Sequence, residues 1–228
     1  MGQRARRVLL ISVLLTVAVY FLPFARILSY PFVLLSTLVH EMGHGITAAI
    51  LGGQFHAFHM WADGSGVAQF SGIANRVARA AVAAGGLVGP AVGAAILFTI
   101  GKSSAVARVS LVFMFILLLL AEFTVVQGAF THAFVICLMA VIALAAWMKR
   151  SWVPQFTVIF LAVQLSLSVF SRSDYLFTPV AHTSRGIMPS DVALMARALI
   201  LPYWFWGGVC ALFSLVVLWM GLRRLMRA

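Results

Sequence analysis

The chain has 228 residues, 63% of them hydrophobic and only 9% charged, with a mean hydropathy of +1.07 and a formal net charge of +11. A soluble domain is about half apolar and about a quarter charged, so this composition excludes one and points to a polytopic membrane protein. The basic residues sit in short clusters between apolar runs, such as Arg4, Arg6 and Arg7 or Arg223, Arg224 and Arg227; that suits loops facing anionic headgroups and leaves no basic polar face for nucleic acid.

A membrane span needs about 20 mainly apolar residues. Residues 8–22, 31–51, 80–100, 109–127, 133–148, 153–170 and 199–222 are candidates, and the first and fifth are short. The expected fold is therefore all-α, with six or seven transmembrane helices in a single integral-membrane domain over residues 1–228. The basic start followed by an apolar run resembles a secretory signal, but no Ala-x-Ala-like site follows it, so it reads as a retained first helix. Pro31 fits the first turn of the second helix, and Gly52-Gly53 fits its end.

Inside the second span lies His40-Glu41-Met42-Gly43-His44. On a helix, positions i and i+4 share a face, so both imidazoles can meet one metal ion. Glu41 is placed to take a proton from a water activated by that metal. Shuffling this composition produces the pattern in roughly one chain in 1,000. Three ionisable residues within one turn of a membrane segment are costly to keep for packing alone, which makes this a functional site.

After the second span, Phe55 to Met60 and Val67 to Phe70 flank the turn Asp63-Gly64-Ser65-Gly66. This reads as a short β-hairpin between the second and third helices, able to offer an edge strand to an extended peptide or simply to plug the site. His56 and His59 read as interfacial histidines rather than ligands. The third span opens on Gly85-Gly86-Leu87-Val88-Gly89-Pro90. Small residues let helices approach closely in lipid, and Pro90 frees a backbone carbonyl. Glu122, alone in an apolar run, needs a proton or a partner such as His132. Cys137 and Cys210 lie in separate apolar runs and read as small buried hydrophobes.

A catalytic zinc takes three protein ligands plus water. Apart from Glu41 and Glu122, the chain's carboxylates are Asp63, Asp174 and Asp191. Asp63 is explained by the hairpin turn. Asp174 follows the sixth span, where the helix dipole disfavours a carboxylate, so it asks for a partner: Arg172, Arg185 or a metal. Asp191 opens an apolar run after Pro189-Ser190, where a role as N-cap is available. Both aspartates fall in the one long polar stretch between the sixth and seventh spans, which must fold back onto the second helix to complete the site.

Taken together, the His-Glu-x-x-His run, Gly52-Gly53, Asp63-Gly64-Ser65-Gly66-Val67, Gly86-Leu87-Val88-Gly89-Pro90 and Ser190-Asp191 resemble the site-2 protease family of intramembrane zinc metallopeptidases, in its small bacterial branch without an added soluble domain. The resemblance implies Zn²⁺ held by His40, His44 and Asp191, with Asp174 as the alternative third ligand, and Glu41 as the catalytic base. The aspartate here is followed by Val192, where the better-known form of the family has glycine. The resemblance further implies a metalloendopeptidase that cleaves a membrane-anchored protein substrate in or near its span, with the enzyme itself a multi-pass protein of the bacterial inner membrane. The competing reading is a non-catalytic membrane scaffold that keeps the helix packing; the lipid bilayer is a partner in both, and nucleic acid in neither.

Overall fold

The computed structural model describes residues 2–171, 173–184 and 186–227, with the side chains of Tyr20, Ser171, Ser173 and Asp174 outside that description. Its elements are α1 (Gly2–Tyr20), α2 (Ala25–Ile50), β1 (Gln54–Met60), β2 (Gly66–Ser71), α3 (Arg76–Ile100), α4 (Ser104–Thr124), β3 (Val126–Gln127), α5 (Ala129–Trp147), α6 (Trp152–Ser171), a 3₁₀ turn (Ser173–Phe177), β4 (Val180–Thr183), β5 (Gly186–Pro189), α7 (Asp191–Leu199) and α8 (Tyr203–Met226).

Among the described residues, α3, α4, α5, α6 and α8 are long and apolar enough to cross a membrane. The sequence led us to expect six or seven such spans. The two further helices depart from a plain apolar run for visible reasons: α1 begins on Arg4, Arg6 and Arg7, and α2 carries His40, Glu41 and His44. Large apolar side chains such as Phe113, Leu120, Leu144 and Leu212 point outward from the bundle. That is costly in water and ordinary in lipid.

Helix α3 is the centre of the packing, with α2, α6, α7 and α8 around it. Its stripe of small residues allows this, because without a hydrophobic drive between helices in lipid, close backbone approach supplies the attraction. An added Cβ at Gly43 of α2 would lie 2.4 Å from the Gly85 carbonyl oxygen, and one at Gly85 would lie 2.1 Å from Thr47 Oγ1. The α2–α3 crossing is therefore glycine against glycine. At the opposite end of α3, Gln155 Nε2 donates to the Gly101 carbonyl at 2.8 Å, satisfying a helix-end acceptor that lipid cannot. Arg108 does the same for the end of α5, through the carbonyls of Ala146 and Met148.

β1 and β2 pair antiparallel with one irregularity between Phe55 and Ala57, and β3 adds in parallel on the other side of β1. β2 is thus an edge strand. The hairpin folds back along α2: Tyr30 Oη donates to the Ala62 carbonyl at 2.6 Å, and Thr37 Oγ1 to the Gly64 carbonyl at 2.7 Å. Phe58 and Met60 are fully buried against α2, α4 and α5 residues.

Two boundaries differ from the sequence reading. Pro31 lies inside α2 rather than in its first turn, because the Phe24 carbonyl accepts from Ile27 and Leu28 and starts the helix six residues earlier. The apolar run 199–222 does not begin a single helix at Leu199. Ile200 takes a left-handed φ of 76°, and Pro202, which lacks an N–H, ends one helix and leads the next. The nine-residue α7 that results is about 14 Å long, too short to cross a bilayer.

Candidate metal centre

His40 and His44 project from one face of α2, four residues and about one turn apart. His44 Nδ1 lies 2.8 Å from the Val82 carbonyl of α3. A carbonyl only accepts, so Nδ1 carries the proton and Nε2 presents its lone pair to the site. The ring has room to do this because Gly86 faces it. A Cβ there would stand 2.2 Å from His44 Cε1 and Nε2. The seam that brings α2 against α3 is therefore also the mould for one ligand.

Asp191 reaches the same point from α7. Ser190 is the N-cap: its Oγ accepts from the Ala193 N–H at 3.2 Å and donates to the Thr178 carbonyl at 2.6 Å. With the cap supplied by Ser190, the Asp191 carboxylate is left to face α2. Its Oδ2 lies 3.1 Å from His40 Nε2, and its Oδ1 lies 3.4 Å from His44 Nε2. The two imidazole Nε2 atoms are 3.1 Å apart. Asp191 is buried, and its Oδ2 makes no hydrogen bond despite the short approach to His40.

Two imidazole nitrogens and a carboxylate facing one another in a buried site make a group able to share a cation. A tetrahedral zinc with bonds of about 2.0–2.1 Å separates its ligand atoms by about 3.3–3.4 Å. The two Nε2 atoms, 3.1 Å apart, come within about 0.3 Å of that spacing, and each lies 3.1–3.4 Å from one or the other Asp191 oxygen, so the three residues fit zinc in number and donor type. The hydrogen bond from His44 Nδ1 to the Val82 carbonyl also orients the ring as a zinc-binding imidazole needs. Among the described residues this is the group of histidine, cysteine and acidic side chains able to share an ion. Of the two aspartates left open by the sequence, Asp191 lies at this point; the Asp174 side chain, Arg172 and Arg185 lie outside the described residues.

Glu41 is buried beside the pair and borders two cavities of about 410 and 660 Å³. Both cavities are lined by His40, Glu41, Gly66 and Tyr175, so they adjoin at the site. A Cβ on Gly66 of β2 would fall 2.9 Å from Glu41 Cγ and 3.0 Å from its Oε1. Glycine at that position lets the edge strand lie directly over the carboxylate.

The other titratable groups have their own partners. His56 Nε2 is 2.6 Å from Ser71 Oγ, and His59 lies against Trp61 at 4.6 Å between ring centroids. Glu122 Oε1 pairs with His132 Nδ1 at 2.7 Å. Asp63 accepts from Ser184 Oγ at 2.6 Å and from Ser65 Oγ at 2.7 Å. These hydrogen bonds, that of Ser184 first, hold its carboxyl below the usual range. They also tie the β4–β5 hairpin to the β1–β2 turn above the cavities. Cys210 is buried with its Sγ 4.0 Å from Met195 Sδ, whereas Cys137 is exposed.

Several contributors carried no mark in the sequence. The Val82 carbonyl is invisible because any residue supplies one. Tyr175, whose ring centroid lies 6.2 Å from that of His40, stands in the polar stretch without a motif. Gly86 belongs to a segment that announced close helix approach, but which glycine faces His44 depends on the register of α2 against α3.

Residues 10–221 match the family model described as Peptidase M50B-like. No curated protein and no solved structure matches the chain.

Proposed function

We propose, from the premise that this chain belongs to the Peptidase M50B-like family, of the site-2 protease kind, that it is an intramembrane zinc metalloprotease hydrolysing a peptide bond in or near the span of a membrane-anchored protein. The observation that carries this reading is the convergence of His40 Nε2, His44 Nε2 and the Asp191 carboxylate within 3.1–3.4 Å, with Glu41 beside them on the wall of two cavities. Five apolar helices and the family together mark an integral membrane protein. In our reading α2 is embedded as well, since it packs along α3 and α6.

His40, His44 and Asp191 would hold the zinc ion. Bound there, zinc supplies Lewis acidity, which polarises a peptide carbonyl and acidifies the attacking water. The chain's own residues do the rest. His44 is oriented by Val82 and Gly86, so its lone pair is fixed before any ion arrives. The Glu41 carboxylate accepts the proton of the attacking water on an oxygen and returns it to the departing amine nitrogen, so the base is regenerated in each turnover. The cavities admit that water to a site otherwise walled by helices. The outer edge of β2, running from Gly66 beside Glu41 to Phe70, has no further strand on it among the described residues and offers backbone groups to an extended substrate segment, with the Ala68 N–H held by Glu41. A helical span cannot be cut until its backbone is opened, and strand pairing stabilises the opened form.

The test is Glu41→Gln in the purified full-length protein. We expect about one zinc per chain to be retained and cleavage of membrane-anchored substrates to fall by about 10²–10⁴. Cleavage at the wild-type rate would refute the mechanism. His40→Ala should lose the zinc altogether.

A further inference from the structure

We propose that the larger cavity also reads sequence: Arg76, Arg79 and Arg197 form a subsite for an acidic side chain of the substrate, about three or four residues from the scissile bond. This rests on the protease reading above and names the substrate class it favours. The cavity of about 660 Å³ is bounded at one end by His44, Glu41 and Asp191 and also lined by these three arginines. Arg76 and Arg79 are three residues apart in the first turn of α3 and so share a face. Arg197 stands in the last turn of α7, the helix that begins with Asp191.

None of the three has a carboxylate partner among the described residues. The described ion pairs engage His40, His44 and His132 with Asp191 and Glu122. Asp63 is occupied by Ser184 and Ser65. Arg79 reaches only the Ala74 carbonyl, at 3.2 Å. The three arginines line one cavity with their side chains exposed, and a carboxylate entering it can be gripped by the planar fork of an arginine.

Distances along the elements set the register. Arg197 is six residues beyond Asp191, about 9 Å along the helix axis. Gly66 and Phe70 are four residues apart on β2, about 13 Å along the strand, and both line the same cavity. An extended peptide paired to β2 with its scissile carbonyl at the His40–His44–Asp191 point rises about 3.3 Å per residue, so it covers 9–13 Å in about three or four residues. A carboxylate at that remove still lies within the cavity that the arginines line. The wall between is apolar, with Phe70, Met188 and Leu194, and suits the side chains of a segment leaving a membrane. Continuity with the β2 edge is what favours a peptide over a lipid phosphate as the anion.

The experiment measures binding rather than turnover. Two fluorescein-labelled single-span peptides are used, identical except for Asp-Glu or Asn-Gln just beyond the apolar segment. They are titrated against full-length Glu41→Gln protein in phosphatidylcholine nanodiscs. We expect the acidic peptide to bind about tenfold more tightly, and the preference to vanish when Arg76, Arg79 and Arg197 are all changed to Gln. The corresponding triple change to Lys, which keeps the charge without the fork, should retain part of the preference, which separates loss of charge from loss of fold. Equal binding of the two peptides, or a preference that survives the Gln triple, overturns the proposal. So does a Gln triple that alters only the retention of phosphatidylglycerol in mixed nanodiscs, since the arginines would then serve a lipid. Failure of the protease reading shows elsewhere, as wild-type protein that binds either peptide and cleaves neither.

Discussion

Replacing Gly86 by alanine tests whether the glycine seam shapes the metal centre or merely packs two helices. The new Cβ would stand 2.2 Å from His44 Nε2 and Cε1, whereas ordinary contact begins near 3.4 Å, so the ring must retreat by about 1.2 Å (3.4 − 2.2). Such a retreat moves Nε2 far outside the roughly 0.2 Å tolerance of a zinc–nitrogen bond. It also strains the 2.8 Å hydrogen bond from Nδ1 to the Val82 carbonyl. Disturbing outer-shell support alone costs about 10–100-fold in metal affinity, and displacing the ligand itself should cost at least that. The control lies two turns along the same helix: a Cβ at Gly93 would meet Leu165 and Val39 at 3.4 and 3.5 Å, which is ordinary contact. Zinc affinity is measured on purified protein by competition with a chromophoric chelator. We expect Gly86→Ala to weaken binding by at least tenfold while Gly93→Ala matches wild type. If both variants bind zinc like wild type, His44 is not held by Gly86, and the account of the seam is wrong.

Three further outcomes follow from the geometry. Asp191→Ala should abolish stoichiometric zinc while Asp174→Ala leaves it in place, as read by metal analysis; the reverse result would give the third position to Asp174. Asp63→Ala should release the β4–β5 hairpin, speed amide exchange over residues 180–184 and 186–188, and weaken zinc binding with it. Because hydrogen bonding lowers the Asp63 carboxyl, that contact is present at neutral pH and is lost only as pH falls through the lowered value, so protection in wild type, taken relative to the intrinsic exchange rate at each pH, should not change between pH 8 and 6. Finally, Arg6 reaches the Met226 carbonyl at 2.8 Å and Arg4 reaches Ser151 at 3.1 Å, so the basic residues around both termini gather at one end of the bundle. By the positive-inside rule that end should face the cytoplasm, and a Ser151→Cys variant should react with an impermeant thiol reagent only from that side.

The parts of this molecule that were legible in the sequence are those whose physics is local. The spacing of His40 and His44, the turn at Asp63-Gly64 and the small-residue run before Pro90 each declare themselves within a few positions, because helix and turn geometry convert spacing directly into arrangement. Asp191 was harder for a specific reason. A carboxylate next to a serine at a helix start has a ready local explanation as a cap, and only the structure shows that Ser190 takes the cap and releases its neighbour. The β4–β5 hairpin was not legible at all. Its strands are four residues each, and they pair across a turn that gives little alternation to detect. The count of apolar spans was blurred by function itself: the polar residues that make α2 useful are the ones that make it a poor hydrophobic segment.

The metal centre is thus assembled from supports of two kinds. His40, Glu41 and His44 stand on a long helix locked to α3 by a glycine seam, where one methyl group already collides with backbone. Asp191 stands on a nine-residue helix hung between the β4–β5 hairpin and α8, and the hairpin is fastened to the β1–β2 turn by an exposed Ser184–Asp63 contact. The histidines are therefore preorganised, while the carboxylate depends on a segment that borders both cavities. In the proposed function, a substrate strand beside β2 would share its cavity with that segment. Displacing the Ser184–Asp63 contact would move the hairpin, and with it the residue that starts α7. On the proposed function, entry of a peptide and placement of Asp191 would in this way be mechanically linked. The link predicts that shortening the β4–β5 hairpin by its turn residues changes zinc affinity and cleavage together, whereas Glu41→Gln separates them.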